Sequence, residues 1–350
     1  MTKLSAGKFW GLRRLANENG HFTMLAVDQR PPITQIVSER RGETTPRFED
    51  IRNVKKTMME MLSPHSSAVL VDPTYALTDA MNILQPHHGL VVTLEDSLFT
   101  ETEEGRTSKA IDDWSVEKIK KVGGDAVKVL TWYRPDQSEA TRIAQKDFTK
   151  RVSEACVEHD IPFLLELLVY PFKGDQNHTT DYVEQRGKRA DHVIKTVEEF
   201  SNPEFGVDIF KLESPIPATD VPAPDGDSDV VAQCQKYFDE LGKASGRPWV
   251  MLSAGATKPA FKNVMHYAYQ AGASGFLAGR AIWWDDFQAF PDLDAMKVGM
   301  AANAVPYMND LSTMTAASAT RWNEHTLYKS NPGPAGSEEI NFAKWYGGNS

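Results

Sequence analysis

Short apolar runs alternate along this chain with longer segments in which apolar residues recur every three or four positions. The runs are Phe22–Asp28, Ser67–Asp72, Leu90–Glu95, Ala126–Trp132, Pro162–Val169, Val207–Glu213, Trp249–Ser253 and Gly275–Gly279. Most are rich in Val, Leu and Ile, the pattern of strands covered on both faces in a parallel sheet. Between them, Phe48–Leu62 carries Ile51, Val54, Met58 and Met61 at helical spacing, and Ser115–Val122 carries Val116, Ile119 and Val122. Phe148–His159, Arg189–Phe200 and Pro259–Ala271 are amphipathic in the same way. Eight βα units in succession predict a (β/α)8 TIM barrel, an α/β fold. The competing arrangement, an open doubly wound sheet, predicts a Gly-rich turn after the first strand. The chain has Asp28-Gln-Arg-Pro-Pro32 there, and no GxxxxGK[ST] motif anywhere.

Two segments lie outside this rhythm. Pro215–Asp229 is rich in Pro, Asp and Ala and reads as a long loop after the sixth strand. The barrel is expected over residues 1–322 and a C-terminal extension over residues 323–350. Asn331-Pro-Gly-Pro-Ala-Gly336 and Gly347-Gly-Asn-Ser350 give that extension the character of a tail packed on the barrel or on a neighbour.

Charge and cysteine usage narrow the class. The net charge of −10 argues against a nucleic-acid or anionic-membrane surface, both of which need a basic patch. Cys156 and Cys234 form no CxxC and suggest no disulfide framework, which fits a cytoplasmic protein. The N-terminus has no long apolar core, so no signal peptide is expected, and no stretch approaches the roughly 20 apolar residues of a membrane span. The histidines form no HxH or HExxH set, so no metal site is expected.

In such a barrel, reactive groups sit at the C-terminal ends of the strands, where all eight converge on one mouth. This rule selects Asp28, Asp72, Glu95, Lys128, Glu166, Lys211, Ser253 and Arg280. Lys211 lies in an apolar run, where an ammonium costs several kcal/mol unless it is paired or neutral. A neutral lysine amine is the nucleophile that forms Schiff bases with carbonyl substrates. Burial and a second cation, for which Lys128 is placed, both favour the neutral form. The alternative is an ion pair with a carboxylate such as Glu213 or Asp208, or snorkelling to solvent. Glu166 is flanked by Leu residues, so desolvation is expected to raise its pKa towards neutrality, as suits a proton shuttle. Its alternative is a structural partner for either lysine.

Asp28 and Gln29 are placed to bind substrate hydroxyls, with an Asx turn before Pro31-Pro32 as the competing reading. Asp72, before Pro73, reads first as a turn initiator, and Glu95 stays open between the two roles. Ser253-Ala-Gly255 and Ala278-Gly-Arg280 close the last two strands. Small residues there let backbone N–H groups approach an anion, and Arg280 adds charge at the common phosphate position of such barrels. Two ordinary βα turns are the alternative.

The blocks Ala26-Val-Asp-Gln-Arg30, Asp125-Ala-Val-Lys128, Ile161-Pro-Phe-Leu-Leu-Glu166, Phe205-Gly-Val-Asp-Ile-Phe-Lys211, Leu252-Ser-Ala-Gly255 and Ala271-Gly-Ala-Ser-Gly-Phe-Leu-Ala-Gly-Arg-Ala-Ile-Trp283 keep their order along the chain. Together they resemble the class I tagatose-1,6-bisphosphate aldolase family, which also includes sulfofructose-phosphate aldolases. The resemblance implies a barrel that needs no metal or other cofactor. It implies Lys211 as the Schiff-base lysine, Glu166 as the acid/base residue and Lys128 as a second active-site lysine. Asp28 and Gln29 match substrate-binding positions, and Ser253, Gly255, Gly279 and Arg280 match the segments that hold the phosphate of the dihydroxyacetone-phosphate half. A phosphorylated sugar is the expected partner. The resemblance also implies a homo-oligomer, dimer or larger, with Phe342-Ala-Lys-Trp-Tyr346 as an expected contact.

Tagatose 1,6-bisphosphate is the expected substrate. The blocks around strands one, seven and eight look close to the sulfofructose branch, which keeps 6-deoxy-6-sulfofructose 1-phosphate as an alternative. A non-catalytic sugar-phosphate sensor and another Schiff-base lyase or isomerase on the same barrel are further alternatives.

Overall fold

The computed structural model describes residues 4–180, 187–329, 333–336, 340 and 342–346. Eight parallel strands close into a barrel: β1 Phe22–Ala26, β2 Ala68–Val71, β3 Gly89–Thr93, β4 Ala126–Trp132, β5 Phe163–Leu168, β6 Ile209–Leu212, β7 Trp249–Met251 and β8 Gly275–Ala278. Each strand lies beside its neighbours in sequence, and β8 closes on β1 with Phe22 opposite Gly275. This is the TIM barrel that the alternating pattern predicts. Several strands stop short of the predicted runs because Asp28, Asp72, Glu95, Glu213 and Ser253 fall just past the last ladder residue.

Alternation of side chains along each strand divides the core in two. Met24, Leu70, Val91, Ala126, Leu164, Ile209, Val250 and Leu277 pack inside the barrel. Their chain neighbours Leu25, Val69, Val92, Val127, Leu165, Phe210, Met251 and Phe276 pack outward in the layer that also takes the helices. Both faces are apolar, which is why the strands read as unbroken hydrophobic runs. The N-terminal end of the barrel is closed by Leu12 and Leu15 of the helix Ala6–Leu15, and by Trp322 and Tyr328.

That first helix has no counterpart in the sequence reading. Its N-cap residue Ser5 accepts no capping hydrogen bond from the helix. The cap comes from Asp160, whose carboxylate accepts from the Gly7 and Lys8 amides at 2.7 and 3.1 Å. Also unforeseen is a hairpin after β3, Thr100–Thr102 paired with Gly105–Thr107. The helix Glu139–Glu158 begins well before Phe148, with the Ser138 side chain accepting from the Thr141 amide. Pro215–Asp229 is a loop as expected, except for a short 3-10 turn at Ala218–Asp220 and the first residues of the helix Ser228–Ser245.

The extension crosses the N-terminal face. Tyr328 donates to the Asp208 carbonyl at 3.2 Å, the Ala335 amide donates to the Leu4 carbonyl at 2.8 Å, and the Tyr346 hydroxyl donates to Asp160. Asn331, Pro332 and all of Gly347–Ser350 lie outside the described residues. Among the described residues, no helix is long and apolar enough to cross a membrane.

Candidate active site

The interior side chains become polar towards the C-terminal mouth. Lys128 lies two residues beyond Ala126, Glu166 two beyond Leu164 and Lys211 two beyond Ile209, so alternation turns all three into the barrel. Glu166 and Lys211 are direct register partners across β5 and β6, and Lys211 Nζ lies 2.9 Å from Glu166 Oε2. Lys128 Nζ lies 2.8 Å from the same oxygen, 3.0 Å from Asp28 Oδ2 and 2.5 Å from Glu95 Oε1. All five groups are buried. The partners that the sequence offered Lys211 are engaged elsewhere. Asp208 pairs with Lys8 at the other end of the barrel at 2.7 Å, and Glu213 pairs with Lys188 at 3.1 Å and accepts from the Val169 amide.

These contacts set the charge states. Burial alone would push the Lys128 ammonium down, but Asp28, Glu166 and Glu95 together hold its pKa well above the ordinary value. Burial alone would push Glu166 up, as the sequence led us to expect. Instead, Lys128 and Lys211 outweigh desolvation and hold the carboxyl below its usual range. The expectation of a near-neutral Glu166 pKa is therefore corrected: neighbouring apolar residues in sequence do not report the two lysines that alternation brings to it. Asp28 is lowered in the same way, against burial, by Lys128, Lys211 and Arg30.

The structure separates two aspartates that looked alike in sequence. Asp72 accepts from the Thr74 and Tyr75 amides at 3.0 and 2.8 Å and pairs with the buried Lys55, so it is a turn and anchor residue. Asp28 makes no such turn. Its Oδ2 meets Lys128 and its Oδ1 has no hydrogen-bond partner among the described residues. Glu95, which the sequence left open, joins the mouth, with its second oxygen accepting from Thr93 Oγ1 at 2.5 Å.

A cavity of about 760 Å³, counted out to its open rim, lies over this cluster. Asp28, Gln29, Lys128, Glu166, Lys211, Ser253, Gly279 and Arg280 all line it, together with Arg30, Glu95 and Glu213. Gly255 stands behind the lining, where an added Cβ would lie 3.4 Å from Arg280 Nη1. Gly279 permits close approach of the β8 and β1 ends, since a Cβ there would fall 2.5 Å from the Ala26 carbonyl oxygen and 2.8 Å from Gln29 Nε2. The Ser253 turn is tight: Ala254 and Gly255 have φ of 45° and 82°, and the Ala256 amide donates to the Ser253 carbonyl.

The opposite wall is apolar, built from Leu130, Trp132, Leu168 and Val169. The unpredicted hairpin braces it. Arg106 is buried with its guanidinium 5.0 Å from the Trp132 ring centre, 4.3 Å from Phe99 and 4.9 Å from Tyr170.

Residues 22–285 match the family described as DeoC/LacD family aldolase. The chain belongs to that family, and it is a carbon–carbon lyase. It is 31% identical over 328 residues to a tagatose 1,6-diphosphate aldolase of Listeria monocytogenes serotype 4a, covering 92% of this chain and 95% of the relative. It is 30% identical over 331 residues to the enzyme of that name from Staphylococcus epidermidis, covering 92% and 99%. Among solved structures, an archaeal fructose-1,6-bisphosphate aldolase with its catalytic Lys covalently bound to the carbinolamine intermediate superposes with a TM-score of 0.55 at 16% identity, covering 87% of this chain and 98% of that one. A fructose-bisphosphate aldolase from Plasmodium falciparum gives 0.59 at 12% identity, covering 91% and 98%. At such identities these two likenesses carry the fold.

Proposed function

We propose that this chain is a class I aldolase that cleaves tagatose 1,6-bisphosphate, through a Schiff base on Lys211, to dihydroxyacetone phosphate and glyceraldehyde 3-phosphate. One observation carries the reading: a buried lysine and a buried glutamate, register partners 2.9 Å apart, at the mouth of a closed barrel. The similarity to tagatose 1,6-diphosphate aldolases of Listeria monocytogenes and Staphylococcus epidermidis supports the choice of ketose.

The charge pattern fits the order of steps. Glu166 starts ionised, so it can take the proton that Lys211 must lose before attacking the C2 ketone. Addition gives a carbinolamine, and loss of water, with a proton returned from Glu166, gives the iminium ion. That cation draws in the electrons of the C3–C4 bond as a base removes the C4 hydroxyl proton. Glu166 is again the carboxylate for this step. The aldehyde leaves, the enamine is protonated at C3, and water releases dihydroxyacetone phosphate. Lys128 stays charged throughout and holds Asp28, Glu95 and Glu166 in one arrangement, so that little reorganisation accompanies the proton transfers. The Oδ1 of Asp28 and the Oε1 of Gln29 face a substrate hydroxyl as acceptor and partner. Ser253, Gly279 and Arg280 take the C1 phosphate.

The test is reductive trapping. Dihydroxyacetone phosphate with borohydride should add one covalent adduct, mapped to Lys211 by peptide mass, in a protein that also cleaves tagatose 1,6-bisphosphate. Absence of both the adduct and the cleavage would remove the reading.

A further inference from the structure

Resting on the aldolase reading, we infer that Lys55 is a positioning residue for the cleavage step: with Asp72 it fixes the end of β1, and so holds Asp28 in place at the mouth without touching the substrate. Lys55 lies in the helix Phe48–Leu62, on a stripe with Ile51, Met58 and Leu62. Those three are apolar and belong to the core between helices and barrel, and all four side chains are buried. An ammonium in such a place is costly, and an apolar side chain of similar volume usually serves stability as well or better. The ion pair that Lys55 makes therefore calls for a use beyond holding this helix to the barrel.

Its contacts supply that use. Lys55 Nζ donates to the Val27 carbonyl at 2.8 Å and also to Asp72 Oδ2. Asp72 is fixed in turn, because its Oδ1 accepts from the Thr74 and Tyr75 amides. Val27 stands where the ladder runs out. The register of β1 with β8 ends at Leu25 opposite Ala278, and that with β2 ends at Ala26 opposite Leu70. Past that point side chains take over from strands. Trp283 Nε1 donates to the Ala26 carbonyl at 3.0 Å, and Lys55 Nζ donates to the next carbonyl, that of Val27. Successive carbonyls of a strand point to opposite sides. Trp283 follows β8 and Asp72 follows β2, so the two donors hold β1 from both of its neighbours, one residue before Asp28.

Asp28 needs such a hold. Its Oδ2 meets Lys128 at 3.0 Å, while its Oδ1 is buried without a hydrogen-bond partner among the described residues. Oδ1 is the oxygen that the proposed mechanism turns to a substrate hydroxyl. Its direction rests on Lys128 and on the backbone at Val27. A displacement of about 1 Å in a group of this kind lowers turnover by as much as a hundredfold, even when its cause lies away from the reacting atoms.

The experiment measures kcat and KM for tagatose 1,6-bisphosphate, with kcat counted per Lys211 site trapped by dihydroxyacetone phosphate and borohydride. The proteins are wild type, Lys55→Met, Lys55→Met with Asp72→Asn, Asp28→Asn, and Lys55→Met with Asp28→Asn. Lys55→Met strands the Asp72 charge and should lower stability to urea. Adding Asp72→Asn removes that charge and keeps an oxygen for the two turn amides, so most of the lost stability should return. In this paired variant kcat should nevertheless stay at least about fivefold below wild type, with KM changed by less than about threefold, because the Val27 carbonyl still lacks its donor. In the Asp28→Asn background, adding Lys55→Met should cost less than about threefold further, since the group that it positions is already altered. A smaller loss of kcat in the paired variant would overturn the proposal, because Lys55 and Asp72 would then serve the fold alone. A larger further loss in the Asp28→Asn background would overturn it too. Adduct and cleavage in wild type, with kcat restored in the paired variant, sink the Lys55 assignment alone. Neither adduct nor cleavage in wild type sinks the aldolase reading with it.

Discussion

Glu166 and Lys211 face each other across the β5–β6 ladder, with Glu166 Oε2 2.9 Å from Lys211 Nζ. The two side chains project from backbone positions locked by strand pairing, so their separation does not depend on a loop. On the proposed mechanism, Lys211→Met removes the Schiff-base amine while filling the same space with an apolar chain of similar length. Turnover of tagatose 1,6-bisphosphate should fall by more than about a thousandfold, as expected for loss of a covalent catalyst. The borohydride adduct should vanish with it. Turnover within tenfold of wild type would show that no iminium forms on this residue.

On the proposed mechanism, the ionisation of Glu166 sets the acid side of the pH profile. Its carboxyl is held below the usual glutamate range by Lys128 and Lys211 against burial. A depressed carboxyl stays ionised until pH falls through its own lowered value, and the stability that it adds is lost over that same fall. The acid limb of kcat/KM should thus lie below the ordinary glutamate value of about 4.3. Lys128→Met removes one of the two lowering charges and leaves burial in place. In that variant the limb should move upward, and a pH–rate series on both proteins checks the direction. Lys128→Met should also lose stability, by about 3–5 kcal/mol, because three carboxylates lose their shared cation.

Much of this site was legible in the chain because barrels place chemistry by rule. Asp28 and Arg280 close apolar runs, Lys128, Glu166 and Lys211 interrupt them, and the inward positions towards the C-terminal strand ends share one mouth. What the runs could not show was how residues of different strands combine. Glu166 looked desolvated because only its Leu neighbours are visible in sequence, whereas Lys211 reaches it through register and Lys128 from the adjoining strand. Glu95 and Asp28 each resembled a turn residue until their contacts with Lys128 separated them from Asp72. The helix Ala6–Leu15 was missed for a related reason, since Asp160 caps it from far along the chain. The Thr100–Thr107 hairpin is held by Arg106 against Phe99, Trp132 and Tyr170, contacts that no local pattern announces.

Lys8 and Asp208 form a buried pair at the end of the barrel away from Lys211, at 2.7 Å. Asp208 Oδ2 also accepts from the Phe163 amide at 2.8 Å, and the Asp208 carbonyl accepts from Tyr328. Removing one partner of such a pair strands a buried charge. Lys8→Met should destabilise the fold by about 3–5 kcal/mol. The folded fraction should still cleave substrate with a near-normal kcat, because the lysine lies outside the mouth. Denaturant unfolding together with active-site titration separates the two effects. A parallel loss of kcat per trapped Lys211 site would show that the bottom of the barrel is coupled to the chemistry.

His325 makes stability depend on pH in a window that the carboxylates of the mouth do not share. It belongs to the segment that closes the N-terminal face, and its Nε2 lies 2.9 Å from Ser274 Oγ. Burial pushes its pKa down to about 4 from an ordinary 6.5. The unfolded chain therefore binds a proton at this residue before the folded one does. The contribution of the neutral ring is complete above pH 6.5, declines as pH falls, and is gone near pH 4. The loss across that window is on the order of 2–3 kcal/mol, after allowance for the part of the ring that solvent reaches. His88 is lowered to about 4 as well, so the whole-protein slope contains both histidines. The difference between wild type and His325→Gln isolates one of them. Stability measured by urea unfolding from pH 7 to pH 4.5 should fall less steeply in His325→Gln, and identical slopes would mean that the ring takes up its proton equally in the folded and unfolded chain.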